Sequence, residues 1–361
     1  MMKNWTLNRY FFRLYLVSFL STLLAISALI YLIDMIELSR RGRVAELGFE
    51  SAALFSALRV PAFIEQAFPF IVLFASIFTL LNLNRKLELV VARAAGVSIW
   101  QILLPFIAGS ALLGLVATFV YNPLAAYAKA QADLIETDVF GGSSSNSRGE
   151  TIWLRQNSGD VRSIIGGASA AMGGTELRGV SAFVFDEKGF IAFRIDANRA
   201  VLDDRQWRLF SPRVTRIGYP PSYPQEYRLP TTLRPEYIEQ RVTDPETISI
   251  WSLGAKIEVA ASLGLNSMAF AMQYHSLLAR PALFIAMTLV AATVATRFSR
   301  TGQSGRTIAG GVLAGFMLYV VTFLARALGS NDIVPPVLAA WFPVVGAGLL
   351  GVTILLHQED G

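Results

Sequence analysis

The sequence predicts an α-helical membrane protein with six transmembrane helices and an all-β domain inserted between the third and the fourth. Three observations carry that prediction. Of the 361 residues, 53% are hydrophobic and 16% charged, with a mean hydropathy of +0.48, which is too apolar for a soluble domain. Six apolar runs have the length needed to cross a bilayer. Between the third and fourth lies a polar stretch of short alternating segments broken by turn residues.

The spans read from about Phe12 to Ile33, Pro61 to Leu83, Ser98 to Val120, Arg280 to Thr296, Thr307 to Leu328 and Val334 to Leu356. The first follows Lys3, Arg9 and Arg13 and lacks a small-residue cleavage site, so it reads as a retained helix. Six spans put both termini on one side. The short segments there carry Arg85, Lys86, Arg93, Arg297, Arg300 and Arg306, which by the positive-inside tendency makes that side the cytoplasm and the β-domain side the periplasm. The third span is expected to continue past Pro123 through Lys129 and Asp133, and the fourth to begin near Asn266, with Pro281 either kinking it or leaving it weakly packed. The two would act as stalks.

The chain divides into residues 1–140, with the first three helices and a cytoplasmic helix at 85–96; residues 141–242, the periplasmic β-domain; and residues 243–361, with a connecting helix over Thr247 to Leu263 and the last three spans. In the middle part Thr151 to Arg155, Val161 to Ile165, Val180 to Phe185, Phe190 to Ile195, Arg199 to Leu202, Trp207 to Arg216 and Glu226 to Leu229 read as strands. Strands without intervening helices favour a sandwich or jellyroll over a parallel sheet. Alternation assigns Phe183, Phe185 and Ile191 to its interior, as a candidate apolar path for acyl chains.

Composition also excludes chemistry. With no Cys there is no disulfide, thiol nucleophile or thiolate metal site, and His275 and His357 stand far apart, so no metal centre is expected. Gly302 to Thr307 lacks the spacing of a phosphate-binding loop, so the chain binds no nucleotide of its own. The net charge of +5 sits at the ends of apolar runs and suits anionic lipid headgroups; no nucleic-acid partner is expected.

The most informative stretch is Arg85 to Ser98, a charged segment between the second and third spans. At 3.6 residues per turn Leu87, Val90, Val91 and Ala94 share one face of a helix about three turns long. Arg85, Glu88, Leu89, Ala92 and Arg93 share the other, and Gly96 supplies a stop. The second face would dock into a groove on a soluble partner. The alternative is a plain loop that collects charge.

The run Leu87 to Ser98, with Pro123 and the region around Pro281, resembles the lipopolysaccharide-export permeases of the LptF/LptG family, and Leu87-Glu88-Leu89-Val90-Val91 resembles its G-type half more than its F-type half. That resemblance implies six transmembrane helices, a periplasmic β-jellyroll, and a non-enzymatic transmembrane subunit in the inner membrane. Implied partners are a second, F-type permease, a cytoplasmic ATPase dimer that uses ATP and Mg, periplasmic jellyroll bridge proteins and lipopolysaccharide. In the family the acidic residue of this segment engages the ATPase, and the matching position is Glu88. One departure stands out: where G-type members can carry a lysine in the first helix, this chain has Tyr31 and Asp34.

A lipid site is therefore read from depth and charge. Arg40, Arg41, Arg43 and Arg59 fall in the first periplasmic loop, against the positive-inside tendency. Counting along the helices puts Arg280 roughly 25 Å above Arg297 and Arg326 roughly 30 Å above Arg306. Arg40, Arg41, Arg59, Arg280 and Arg326 thus share the periplasmic headgroup level and are candidates for lipid phosphate, the alternative being snorkelling at helix ends. Glu65 is either a partner for one of them or a structural hydrogen-bonder. Alternatives to lipopolysaccharide export are a permease for another lipid or lipoprotein, or a non-transporting scaffold with a periplasmic binding domain.

Overall fold

The computed structural model of the chain describes residues 5–40, 49–140, 152–158, 161–171, 175–186, 190–203, 205–216, 218–231, 244–262, 267–301 and 304–360. Arg41, Arg43 and residues 302–303 lie outside them. The helices are α1 (Trp5–Arg40), α2 (Phe49–Arg85), the short α3 (Glu88–Ala94), α4 (Ile99–Val116), α5 (Asn122–Phe140), α6 (Ile250–Ser262), α7 (Met268–Thr301), α8 (Ser304–Ser330) and α9 (Pro336–Asp360). A π-helical turn, Ala117–Tyr121, joins α4 to α5. Six of these helical stretches are long and apolar enough to cross a membrane.

Helix ends overrun the apolar runs, because backbone hydrogen bonding continues where hydropathy stops. At 36 and 37 residues α1 and α2 are each ~55 Å long, well beyond a hydrocarbon core of ~30 Å. Arg59 consequently lies on α2 and not in a loop, which corrects the expectation. The bundle is centred on α2, α4 and α7, whose Ile71, Leu73, Ile102, Phe106, Phe284 and Met287 are buried together. By contrast α1 and α8 stay largely uncovered, with Leu24 73% and Phe323 59% exposed. Such apolar faces belong against lipid or another membrane helix.

Two prolines fix how α4, α5 and α7 meet. Pro281 has no N–H for the carbonyl of Leu277, and Thr118 Oγ1, on the π-turn, donates to that oxygen at 3.0 Å. Pro123 likewise frees the carbonyl of Phe119, which accepts from the Trp251 indole of α6 at 3.3 Å. Helix α7 runs unbroken through Pro281, and a Cβ on Gly114 would come within 2.4 Å of the Pro281 Cα. Only glycine permits that approach. A buried hydroxyl chain closes the centre: Tyr15 with Ser110 at 2.9 Å, Ser110 with Thr288 at 2.5 Å, and Ser76 with Thr288 at 3.2 Å.

The inserted domain is one seven-stranded antiparallel sheet: β1 (Ile152–Ser158), β2 (Val161–Ala171), β3 (Glu176–Phe185), β4 (Ile191–Asp203), β5 (Gln206–Phe210), β6 (Arg213–Arg216) and β7 (Glu226–Pro230), in the order β1-β2-β3-β4-β5-β7, with β6 also on β4. Long β4 pairs through Phe193 to Asp196 with β6 and through Arg199 to Asp203 with β5. It unites two expected strands. The expected single strand from Trp207 to Arg216 breaks at Ser211, held at φ 49° ahead of Pro212, which cannot donate to a ladder.

The sheet's covered face holds Leu154, Ile165, Leu177, Val180, Ala182, Val184, Ile195, Trp207 and Leu209. Phe183, Phe185 and Ile191 were expected inside; they lie on the opposite face, because Ala182 and Val184 point to the core and side chains alternate. Ile191 is 46% exposed. Phe183 is instead sandwiched loosely between Trp153, with ring centroids 5.8 Å apart, and the Arg194 guanidinium, 5.5 Å from its ring centre.

Candidate functional site

The six spans follow one another through the bundle, which has one end carrying the β-domain and one end carrying α3 and the start of α1. Features with chemical potential collect at the two ends.

At the α3 end the backbone leaves α2 through Leu87, which has a left-handed φ of 59°. The helix stops in a Schellman arrangement: the Gly96 N–H donates to Arg93 O at 3.0 Å, the Val97 N–H donates to Ala92 O at 3.1 Å, and Gly96 has φ 83°. Ser98 then caps α4 by accepting from the Gln101 N–H at 3.3 Å. The result is two turns, shorter than the three expected.

Its faces are also reversed. Leu89 and Ala92, assigned to the outer face, pack against the bundle core, while Leu87, Val90 and Val91 are 61%, 44% and 65% exposed. The reason is that α2, α4 and α7 approach from the side of Leu89, leaving a small gap of about 30 Å³ lined by Leu80, Asn84, Leu89, Ile102 and Ala292 and edged by Val90 and Arg93. Glu88 is half-buried beside Tyr10, whose hydroxyl lies 3.4 Å from its carboxylate, and Arg85 and Arg93 are exposed. The outward surface is therefore an apolar ridge flanked by cations.

At the β-domain end a cavity of about 240 Å³ opens among α2, α7, α8 and α9. Its deeper wall is apolar, from Pro69, Leu283, Met287 and Val344, and its rim carries Glu65, Lys129, Glu246, Arg280 and Arg326. Arg280 Nη1 donates to Glu65 Oε1 at 2.6 Å, and Asn122 Nδ2 donates to the same oxygen at 2.8 Å. Arg280 also reaches the Ala117 carbonyl, at the start of the π-turn, at 3.4 Å. The Asn122 side-chain oxygen accepts from the Ile250 N–H, fixing the start of α6. Lys129 on α5 donates to Asp244 at 2.7 Å and to Glu246 at 2.6 Å, on the turn that returns from the β-domain. Arg326 donates to Gln273 and lies 3.6 Å from Glu246.

Of the arginines proposed for lipid, Arg280 and Arg326 meet at this cavity. Arg59 lies outside it, 3.2 Å from Asp34 and between the rings of Phe55 and Phe63 at 5.5 and 5.4 Å. Arg40 is exposed on the last turn of α1, and Arg41 falls outside the described residues. The sequence reading overlooked Lys129 and Glu246 as members of the site. Their signal was present: a single lysine on the helix after Pro123, and a carboxylate after Pro245, where the chain re-approaches the bundle. Among the described residues no cluster of His, Asp and Glu could hold a metal ion.

The cavity and the ridge stand at opposite ends of the helical bundle. Residues 9–357 match the family model described as lipopolysaccharide export system permease LptF/LptG. The chain is 22% identical over 343 residues to the lipopolysaccharide export system permease protein LptG of Escherichia coli K12, covering 93% of each. To the protein of the same name from Haemophilus influenzae it is 23% identical over 359 residues, covering 94% of each. With the match running through all six spans and the inserted β-domain, the chain belongs to the LptF/LptG family of lipopolysaccharide export permeases.

Proposed function

We propose that this chain is the G-type half of an ATP-driven lipopolysaccharide exporter, paired with an F-type permease and a cytoplasmic ATPase dimer that binds the ATP and Mg. The observation that carries the proposal is the cavity at the β-domain end, with an apolar depth for acyl chains and cations at its rim for acidic headgroups. In this reading the α3 end and both termini are cytoplasmic, and the β-domain is periplasmic, facing jellyroll bridge proteins.

The ridge of Leu87, Val90 and Val91, edged by Arg85, Glu88 and Arg93, seats in the ATPase groove, so that closure of the ATPase pushes α3 and α2 together. Helix α2 links the two sites, since it ends at α3 and carries Glu65 at the cavity. Movement along it narrows the cavity and drives the lipid from the membrane leaflet toward the β-domain. Arg280 and Arg326 hold the headgroup.

The test is isolation of the tagged chain from its native membrane. Co-isolation of an ATPase and a second permease, with ATP hydrolysis stimulated by lipopolysaccharide and not by phosphatidylglycerol, is the expected result. Isolation of the chain without an ATPase would favour the scaffold reading. Stimulation by another lipid class alone would reassign the cargo.

A further inference from the structure

The three cations at the cavity rim differ in how fully they are neutralised. Arg280, 14% exposed, is held by Glu65 at 2.6 Å. Lys129, 17% exposed, lies between two carboxylates at 2.7 and 2.6 Å. Arg326 is 38% exposed, its hydrogen-bond partner is the neutral amide of Gln273, and the carboxylate facing it is that of Glu246, at 3.6 Å. Glu246 serves both remaining cations with different oxygens, Oε2 toward Lys129 and Oε1 toward Arg326. One anion bridging two cations through two oxygens is the geometry of a bound phosphate.

The backbone beneath Glu246 is fixed. Its N–H donates to Asp244 Oδ1 at 2.9 Å, and Thr247 Oγ1 donates to Asp244 O at 2.8 Å, closing the 3₁₀ turn Pro245–Thr247. The side chain, 30% exposed, is held by its two cations and not by the turn.

We infer that Glu246 is an internal stand-in for the headgroup anion and thereby a selectivity filter against the bilayer's own phospholipids; the inference rests on the reading of the cavity as the headgroup site. An arriving acidic lipid must displace a carboxylate that already satisfies Lys129 and faces Arg326. A lipid with one phosphate charge exchanges one anion for another and must leave the expelled carboxylate nearby, so it gains little. A head with several acidic groups sets one of them between Lys129 and Arg326 and brings further charge to Arg280 at the same cavity, so it alone recovers the cost of displacement. Specificity here comes from a repulsive element as well as an attractive one.

The experiment uses the assembled transporter in nanodiscs containing phosphatidylglycerol and lipopolysaccharide at a fixed ratio, with the lipid retained after extraction counted by mass spectrometry. Glu246→Gln keeps the side chain's shape, removes its charge and leaves one acceptor oxygen in place of two. It should raise retained phosphatidylglycerol relative to lipopolysaccharide by about tenfold over wild type. Gln273→Glu approaches from the other side, adding a second carboxylate beside Arg326 without touching the turn, and should lower that ratio. Arg326→Gln combined with Glu246→Gln should return the ratio to within about twofold of wild type, because the site that favoured phospholipid is gone. A Glu246→Gln transporter that retains lipopolysaccharide normally with an unchanged lipid ratio overturns the filter while leaving the permease reading intact. If Glu246→Gln fails to assemble, an unchanged ratio in Gln273→Glu overturns it instead. A wild-type transporter that retains no lipopolysaccharide overturns the reading of the cavity itself.

Discussion

Glu65 takes both a guanidinium and an amide on one oxygen, with its side chain 11% and that of Arg280 14% exposed. Removing the carboxylate leaves a cation with little water around it. Glu65→Ala is therefore expected to cost roughly 3–5 kcal/mol, and Glu65→Leu with Arg280→Met to recover most of that loss, as the midpoint of thermal unfolding in detergent would show. Recovery of stability without recovery of lipid binding would separate the pair's structural role from its proposed role at the headgroup. Gly114 makes a steric argument at the same scale. A methyl there meets backbone at 2.4 Å, whereas Gly348 faces open space. Gly114→Ala should lose roughly 1–3 kcal/mol or fail to accumulate, and Gly348→Ala should behave as wild type in the same melt.

Among the elements, α3 is defined by its ends, a left-handed Leu87 and a Schellman stop at Gly96, so its outward residues can be changed without unfolding it. Val91→Glu places a charge at the centre of the exposed ridge and should reduce co-purified ATPase at least tenfold; Glu88→Lys, at the half-buried edge, should disrupt assembly or uncouple hydrolysis from transport. Wild-type complex yields from both would remove α3 from the docking surface. The proline-freed carbonyls give the π-turn a comparable test. Thr118→Val abandons Leu277 O and should cost about 1–3 kcal/mol, but only while Pro281 is present. In Pro281→Ala the helix supplies its own donor, so the double-mutant cycle should show coupling of about 1 kcal/mol or more.

For the molecule as a whole, acid acts on the inserted β-domain through Glu176. Burial pushes the Glu176 carboxyl up, but hydrogen bonds from Arg199 and Arg178 outweigh it and hold the group below its ordinary value of 4.5. A depressed carboxyl stabilises the fold above the unfolded-state value and loses that contribution as pH falls through the folded one. The β-domain should therefore weaken below about pH 4.5, seen as a change in fluorescence of the buried Trp207, and Glu176→Gln should flatten that dependence. An unchanged acid transition in Glu176→Gln would assign the weakening to other groups.

Six spans, an inserted β-domain, the stalk beyond Pro123 and the helix ahead of the fourth span were all legible in the sequence, because each rests on period or hydropathy, which are local properties. The segment at residues 85–98 was legible for the same reason, through Glu88 and Gly96 in a fixed spacing. What the chain alone left open was which way each surface points. Leu89 turns inward because three long helices crowd that side of α3, and Phe183 turns outward because β3 enters the sheet with Ala182 and Val184 toward the core; a shift of one residue reverses a strand, and periodicity does not say which phase is buried. The lipid site follows the same rule. Depth along a helix could bring Arg280 and Arg326 to one level, but it took packing to give Arg59 to Asp34, Arg280 to Glu65, and to return Glu246 from the β-domain to stand between Lys129 and Arg326. Pairings between residues far apart in sequence depend on which helices touch, and that is decided only when the tertiary structure forms.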